Sequence, residues 1–263
     1  MNQGKTRRLK RIFREDNRVV VVPMDHGVSL GPVKGIENMQ ETVTRLLNGG
    51  ADAMVLHKGL AKRIDPGNAG LIVHLSAVSN LTPNCQNKVQ VCTVQEAIRL
   101  GADAVSVHVN VGAQDECPML SVLGKVADEC DVFGMPLLAM MYPRGPKIPN
   151  EHDPVAVAHA ARIGAELGAD IVKTNYTGDV DSFRRVVESC SVPVIIAGGP
   201  KTDTVKDVLE MVYDAMQAGA AGLSIGRNVF QNRNQTLIVK ALVAIVHEGA
   251  TIEQALKLFG ESR

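Results

Sequence analysis

The chain has 263 residues, enough for one large core, and its 28 basic side chains balance 28 acidic ones. A net charge of zero weighs against nucleic acid or an anionic membrane as the main partner, and 3% aromatics with no Trp weigh against a base-stacking surface. Five cysteines, an odd number with no C-x-x-C pair, read as reduced thiols in a cytoplasmic protein, not as a disulfide framework or zinc knuckle.

In chain order, the start MNQGKTRRLKRIF is basic and lacks the apolar core of a signal segment. A helix capping the floor of a barrel is the expectation there. No apolar run approaches the ~18 residues of a membrane span. The run 18–23 (RVVVVP) predicts a first strand, and an amphipathic helix is expected over 37–48. Further strands are predicted at 53–57, 71–75, 104–110, 137–142, 170–175, 193–197 and 221–226. Helices are expected at 93–100, 119–131, 154–167, 180–189 and 203–218. The stretch 58–70 is too short and Gly-rich for a good helix, and 235–263 reads as two closing helices.

Four of the helix-to-strand links repeat one pattern. They are Gly49-Gly50-Ala51-Asp52, Gly101-Ala102-Asp103, Gly168-Ala169-Asp170 and Gly219-Ala220-Ala221-Gly222. Glycine ends a helix in a left-handed conformation at little cost, and the runs that follow are continuously apolar, as in parallel strands covered on both faces. Eight such strands alternating with helices predict a (β/α)8 TIM barrel forming a single domain over 1–263. An open doubly wound sheet is the rival, but no GxGxxG follows the first strand.

In a barrel of this kind chemistry sits where the strands end. The sixth strand carries Lys173 inside an apolar run. Such a lysine is either a desolvated nucleophile able to form a Schiff base or a rim residue paired with an acid. Asp25 ends the first strand and could pair Lys173, move protons or cap its loop. Tyr142 ends the fifth and could donate a proton or pack at the rim. Arg144, aimed by Pro143 and Gly145, is placed to bind an anion or to hold its loop. Gly198-Gly199 and Gly226-Arg227 end the seventh and eighth strands, where this fold recurrently binds phosphate. His26, His57, His74 and His108 fall at neighbouring strand ends, but no two are spaced as H-x-H, and packing or supporting roles are preferred to metal ligation. Tyr176 is a second candidate acid. An amine, a carboxylate, a phenol and a phosphate cradle together describe Schiff-base C–C chemistry on a phosphorylated ketose or diketone.

The segments PMDHGVS, HVNVG, MMYPRG, GADIVKTNYTGD, AGGPK and GRNVFQ resemble the archaeal class I fructose-bisphosphate aldolase family over nearly the whole chain. Within it the sequence is most similar to the 2-amino-3,7-dideoxy-D-threo-hept-6-ulosonate synthase branch. The resemblance implies Lys173 as Schiff-base lysine, Tyr142 as proton donor and Asp25 as proton acceptor. It implies substrate contacts from Asp25, His26, Gly27, Val28, Ser29, Tyr142, Pro143, Arg144, Lys173, Thr174, Asn175, Gly198, Gly199, Gly226 and Arg227, with no metal and no cofactor. The implied substrates are a phosphorylated sugar and aspartate semialdehyde, and the implied assembly is a homo-oligomer, a decamer in many members. The aldolases proper carry Trp two residues before the tyrosine. Met140 stands there instead, which disfavours fructose-bisphosphate cleavage as the main activity. Fructose-bisphosphate aldolase remains the alternative, and a silent barrel binding a phospho-metabolite the second. For the semialdehyde carboxylate the candidates are Arg144 and Lys58.

Overall fold

A computed structural model describes residues 3–260. Residues 1–2 of the expected capping helix and 261–263 of the expected closing pair lie outside them. The elements run α1 (Gln3–Leu9), β1 (Val19–Pro23), α2 (His26–Leu30), α3 (Met39–Gly49), β2 (Ala53–His57), α4 (Lys58–Ala61), β3 (Gly70–His74), β4 (Ser76–Ala77) and β5 (Val89–Gln90). They continue with α5 (Val94–Arg99), β6 (Ala104–Val111), α6 (Glu116–Phe133), β7 (Leu137–Pro143), α7 (Pro154–Glu166), β8 (Ile171–Asn175) and α8 (Val180–Glu188). The last are β9 (Val194–Ala197), α9 (Val205–Gln217), β10 (Gly222–Ser224), α10 (Arg227–Phe230), α11 (Gln235–Glu248) and α12 (Ile252–Phe259). Eight strands close into a parallel barrel in the order β1-β10-β9-β8-β7-β6-β3-β2, the (β/α)8 arrangement the sequence predicts. The antiparallel pair β4–β5 lies outside the barrel. That pair and the one-turn helices α2, α4 and α10 were not foreseen, because segments of two to five residues carry no readable period.

The continuous apolar runs divide by alternation. Val19, Val21, Val55, Ile72, Leu138, Met140, Ile171 and Ile195 fill the barrel. Val20, Val22, Met54, Val73, Val105, Met141, Val172 and Ile196 face the helices. Each strand is therefore buried on both sides, as parallel sheets require. Strand ends of the inward set carry the polar residues of the site. All five cysteines are free. Burial pushes the Cys92 thiol up to about 11 and the Cys130 thiol up to about 12, so both stay protonated. Among the described residues no helix is long and apolar enough to cross a membrane.

The repeated Gly-Ala-Asp unit has a physical role. The N–H groups of Asp52, Asp103 and Asp170 donate to the carbonyls of Val20, Leu71 and Leu137 at 3.0, 2.8 and 2.9 Å. Their carboxylates accept the N–H of those same residues at 2.6, 3.0 and 2.9 Å. Each aspartate thus clamps the start of its own strand to a neighbouring one. The basic N-terminal segment supplies the counter-charges. Arg14 Nε lies 2.5 Å from Asp52, Arg11 Nη1 2.9 Å from Asp103, and Lys5 Nζ 2.9 Å from Asp170. Ile12, buried inside the barrel with Leu9 and Phe13 packed beside it, plugs the floor. The capping expectation holds for the described residues. The fourth unit keeps only the backbone bond, Ala221 N–H to Val194 O at 2.8 Å, and has no carboxylate there.

Candidate active site

A cavity opens at the C-terminal ends of the barrel strands, and Lys173 stands in its wall. Lys173 follows Val172 on β8, so alternation turns it inward, between Met140 on β7 and Ile195 on β9 in the strand register. It is only 6% exposed. Burial lowers its pKa to about 8, against the pull of the Asp25 carboxylate and with help from the Arg144 charge. Roughly a tenth of it is then free amine at pH 7, against a negligible fraction for an exposed lysine.

Asp25 lines the same cavity just past β1. Burial alone would raise its pKa, but His74, His26, Lys173 and His57 outweigh this and hold it well below the usual carboxylate range. His26 Nδ1 lies 3.5 Å and His74 Nε2 3.8 Å from its two oxygens. His74 Nδ1 is fixed 2.7 Å from Ser106 Oγ on β6. Burial pushes His74 down to about 4, and lowers His26, His57 and His108 as well. At neutral pH these rings are uncharged, and Lys173 is the cation of this group beside Asp25.

Tyr142 ends β7 and is buried in the cavity wall. Burial pushes its phenol well above the usual value despite the neighbouring arginine, so it remains a proton donor. The Arg144 guanidinium sits 4.6 Å from its ring centroid, and the His108 ring packs 4.9 Å away on the other strand. Arg144 Nε donates to Glu151 Oε2 at 2.6 Å, which fixes the loop after β7. Asn175 Nδ2 donates to the Glu151 carbonyl at 2.9 Å, tying the β8 end to the same loop.

Across from these residues the ends of β9 and β10 form a cradle. Gly198, Gly199, Gly226 and Arg227 line the cavity there. Arg227 Nη2 donates to Gly199 O at 2.9 Å, and Asn228 Nδ2 to Gly198 O and Pro200 O at 3.0 and 3.1 Å. These hydrogen bonds tie the two loops together. The N–H groups of Gly198, Gly199 and Gly226 have no backbone acceptor among the described residues. A Cβ on Gly226 would fall 2.6 Å from the His26 ring and 2.9 Å from Pro23 O, so only glycine fits. Ser224 Oγ, buried beneath the cradle and lining the cavity, has no hydrogen-bond partner among the described residues. The arrangement presents an amine, a carboxylate and a phenol at one place, with unpaired donors for an anion beside them.

Most residues singled out from the sequence meet here: Asp25, His26, Ser29, Tyr142, Arg144, Lys173, Asn175, Gly198, Gly199, Gly226 and Arg227 all line the cavity. Four of the expected substrate contacts, Thr174, Pro143, Gly27 and Val28, do not line it, and neither do Tyr176 and Lys58. Thr174 alternates away from Lys173, and its Oγ1 donates to Met141 O at 2.8 Å on the helix side of the barrel. Pro143 follows Tyr142 and alternates outward in the same way. Gly27 and Val28 fall on α2, whose turn directs Val28 out to solvent. Tyr176 packs on Phe183 at 5.3 Å in the outer core and is no alternative acid. Lys58 also misses the cavity and pairs with Glu96 at 3.1 Å. His57, His74 and His108, read as packing or supporting residues, line the wall directly. Lys88, Ser76, Ser224 and Asn228 were missed. Lys88 lies on the unforeseen β4–β5 excursion, and a serine or asparagine beside a strand end carries no distinguishing sequence signal. Among the described residues no group of three or more His, Cys, Asp or Glu side chains is arranged to hold a metal ion.

The DeoC/LacD family aldolase model matches residues 19–232. A 2-amino-3,7-dideoxy-D-threo-hept-6-ulosonate synthase of Halobacterium salinarum is 45% identical over 98% of this chain and 97% of its own. A 2-amino-4,5-dihydroxy-6-oxo-7-(phosphonooxy)heptanoate synthase of Streptomyces griseus is 41% identical over 93% of this chain and 90% of its own. Among solved structures, a Schiff-base-forming fructose-1,6-bisphosphate aldolase superposes with a TM-score of 0.87 at 34% identity, covering 92% of this chain and 100% of that one. A matched span running from the first barrel strand past the last, with relatives this similar over nearly their full length, means that the chain belongs to the DeoC/LacD family of aldolases.

Proposed function

We propose that the protein is a Schiff-base synthase that joins L-aspartate 4-semialdehyde to a fragment of 6-deoxy-5-ketofructose 1-phosphate. The product is 2-amino-3,7-dideoxy-D-threo-hept-6-ulosonate, and hydroxypyruvaldehyde phosphate leaves. Assigning the reaction to this chain rests on its 45% identity with the H. salinarum synthase and on the buried, partly deprotonated Lys173 facing Asp25 in one cavity. That lysine is the single observation that carries the chemistry.

The free amine of Lys173 attacks the ketone to form a carbinolamine, which loses water to an iminium. The iminium accepts the electron pair of the breaking C–C bond, the aldehyde fragment departs, and an enamine remains. The enamine carbon attacks the aldehyde of the semialdehyde, and water then releases the product and regenerates the amine. Tyr142 donates a proton to the developing alkoxide, and Asp25 accepts protons from hydroxyl or carbinolamine. Gly198, Gly199, Gly226 and Arg227 hold the ketose phosphate. The protein works as a single domain within a homo-oligomer.

Fructose-bisphosphate aldolase is the second reading, favoured by the solved neighbour at 34% identity. Met140, 2% exposed in the cavity wall where the aldolases proper carry Trp, favours the synthase. Incubation with 6-deoxy-5-ketofructose 1-phosphate and aspartate semialdehyde is expected to yield the seven-carbon amino acid by mass spectrometry. Turnover of fructose 1,6-bisphosphate alone, with no product from the first pair, would replace this reading with the aldolase one.

A further inference from the structure

Lys88 is a cation in the cavity wall without a carboxylate partner. It forms no ion pair among the described residues, whereas Lys5, Arg11, Arg14, Lys58 and Arg144 each pair with a carboxylate and Arg227 donates to Gly199 O. Its position is built. The N–H of Lys88 reaches Met119 Sδ at 3.5 Å, and two residues earlier Gln86 O accepts from Asn110 Nδ2 at 2.7 Å. Asn110 lies on β6 directly opposite Tyr142 in the strand register. The segment is therefore held beside the proton donor. Burial lowers the pKa of the Lys88 ammonium, against the pull of Asp25 and with the Arg144 charge adding to the effect. An anion entering between Lys88 and Arg144 would relieve both costs.

The topology places this cation pair away from the phosphate cradle. Lys88 lies on the connection from β3 to β6, and β3 is four strands from β9 in either direction around the ring of eight. Lys173 and Tyr142, on β8 and β7, stand between the two ends. In the reaction proposed above, the ketose phosphate is held at the cradle and leaves with the departing aldehyde, so an anion for Lys88 must come with the second substrate. The two curated relatives make seven-carbon 2-amino acids bearing a ketone near the other end of the chain. Building on the function proposed above, we propose that Lys88, together with Arg144, is the specificity determinant for the second substrate, binding the carboxylate of the amino-acid semialdehyde and aiming its aldehyde at the enamine on Lys173.

Steady-state kinetics on Lys88→Met and Lys88→Arg, in the full chain with both substrates, test this. Lys88→Met is expected to raise KM for aspartate semialdehyde about 10–100-fold, while KM for the ketose phosphate moves less than about 3-fold. Lys88→Arg, which keeps the charge, is expected to restore the semialdehyde KM to within about 5-fold of wild type. An unchanged semialdehyde KM in Lys88→Met, or equal rises in both KM values, would overturn the assignment. Wild-type enzyme that never consumes the semialdehyde would overturn the proposed function instead, a result visible before any variant is made.

Discussion

Burial and a nearby carboxylate pull the Lys173 amine in opposite directions, and burial wins. The consequence is a pH profile with a definite sign. The reactive form is the free amine, so kcat/KM for the ketose is expected to rise from pH 6 and to level off above about 8. A profile that is flat or falling across that range would show that deprotonation of Lys173 does not limit the reaction. Tyr142→Phe removes a buried phenol that stays protonated, and turnover is expected to fall about 10²–10⁴-fold. A near-normal rate in rapid-mixing assays would move the proton donor elsewhere. Both residues stood out in the sequence at the ends of apolar strands, but position alone left a rim role open for each, and the resemblance to the aldolases supplied the roles. Lys88 was not legible, since nothing in PNCQNKVQ announces that the β3–β6 connection folds back over the cavity. The side chain of Thr174 faces away from the cavity for a plainer reason. It neighbours Lys173 in the chain, yet the two-residue period of a strand turns it to the opposite face.

At the scale of the elements, the Gly-Ala-Asp links couple the barrel floor to the N-terminal segment. Asp103 is 7% exposed and accepts both the Leu71 N–H and the Arg11 guanidinium. Asp103→Ala leaves that N–H without its acceptor and an arginine without its partner. It is expected to destabilise the fold by about 1–3 kcal/mol in urea denaturation. A loss under about 0.5 kcal/mol would mean that the clamp is replaceable by water. Arg11→Ala is expected to cost less, because its side chain is largely exposed and the pair is screened. The repeat itself stands out in the sequence, and so do the eight strands it introduces. Its partners do not, because residues 5, 11 and 14 are far from 170, 103 and 52 in the chain and only barrel closure brings them together.

For the molecule as a whole, His247 joins the two ends of the chain. Its Nδ1 and Nε2 each lie 2.8 Å from a carboxylate oxygen, of Asp16 and Asp52 respectively. Burial would lower its pKa, but the hydrogen bonds to Asp52 and Asp16 outweigh this and raise it. A raised folded-state pKa contributes stability that is fully present below the ordinary histidine value and fades as pH rises through the folded one. Asp16 shifts the other way. Burial opposes the shift, but its bond to His247 lowers it, so its contribution is present above the ordinary carboxylate range and lost in acid. His247→Gln is therefore expected to destabilise the protein more at pH 6 than at pH 9 in matched denaturation curves. An equal difference at both pH values would remove the ion pairs from the stability of this junction. The closed barrel was legible from the count and alternation of elements, whereas this junction depends on α11 docking against α3 and β1, which no local pattern encodes.

The most direct measurement is borohydride trapping of the enzyme with 6-deoxy-5-ketofructose 1-phosphate, followed by peptide mapping. A reduced adduct on Lys173, displaced when aspartate semialdehyde is added and absent in Lys173→Met, is the expected result. An adduct on another lysine, or Lys173→Met retaining more than about 1% of the wild-type rate, would contradict the Schiff-base mechanism at its centre.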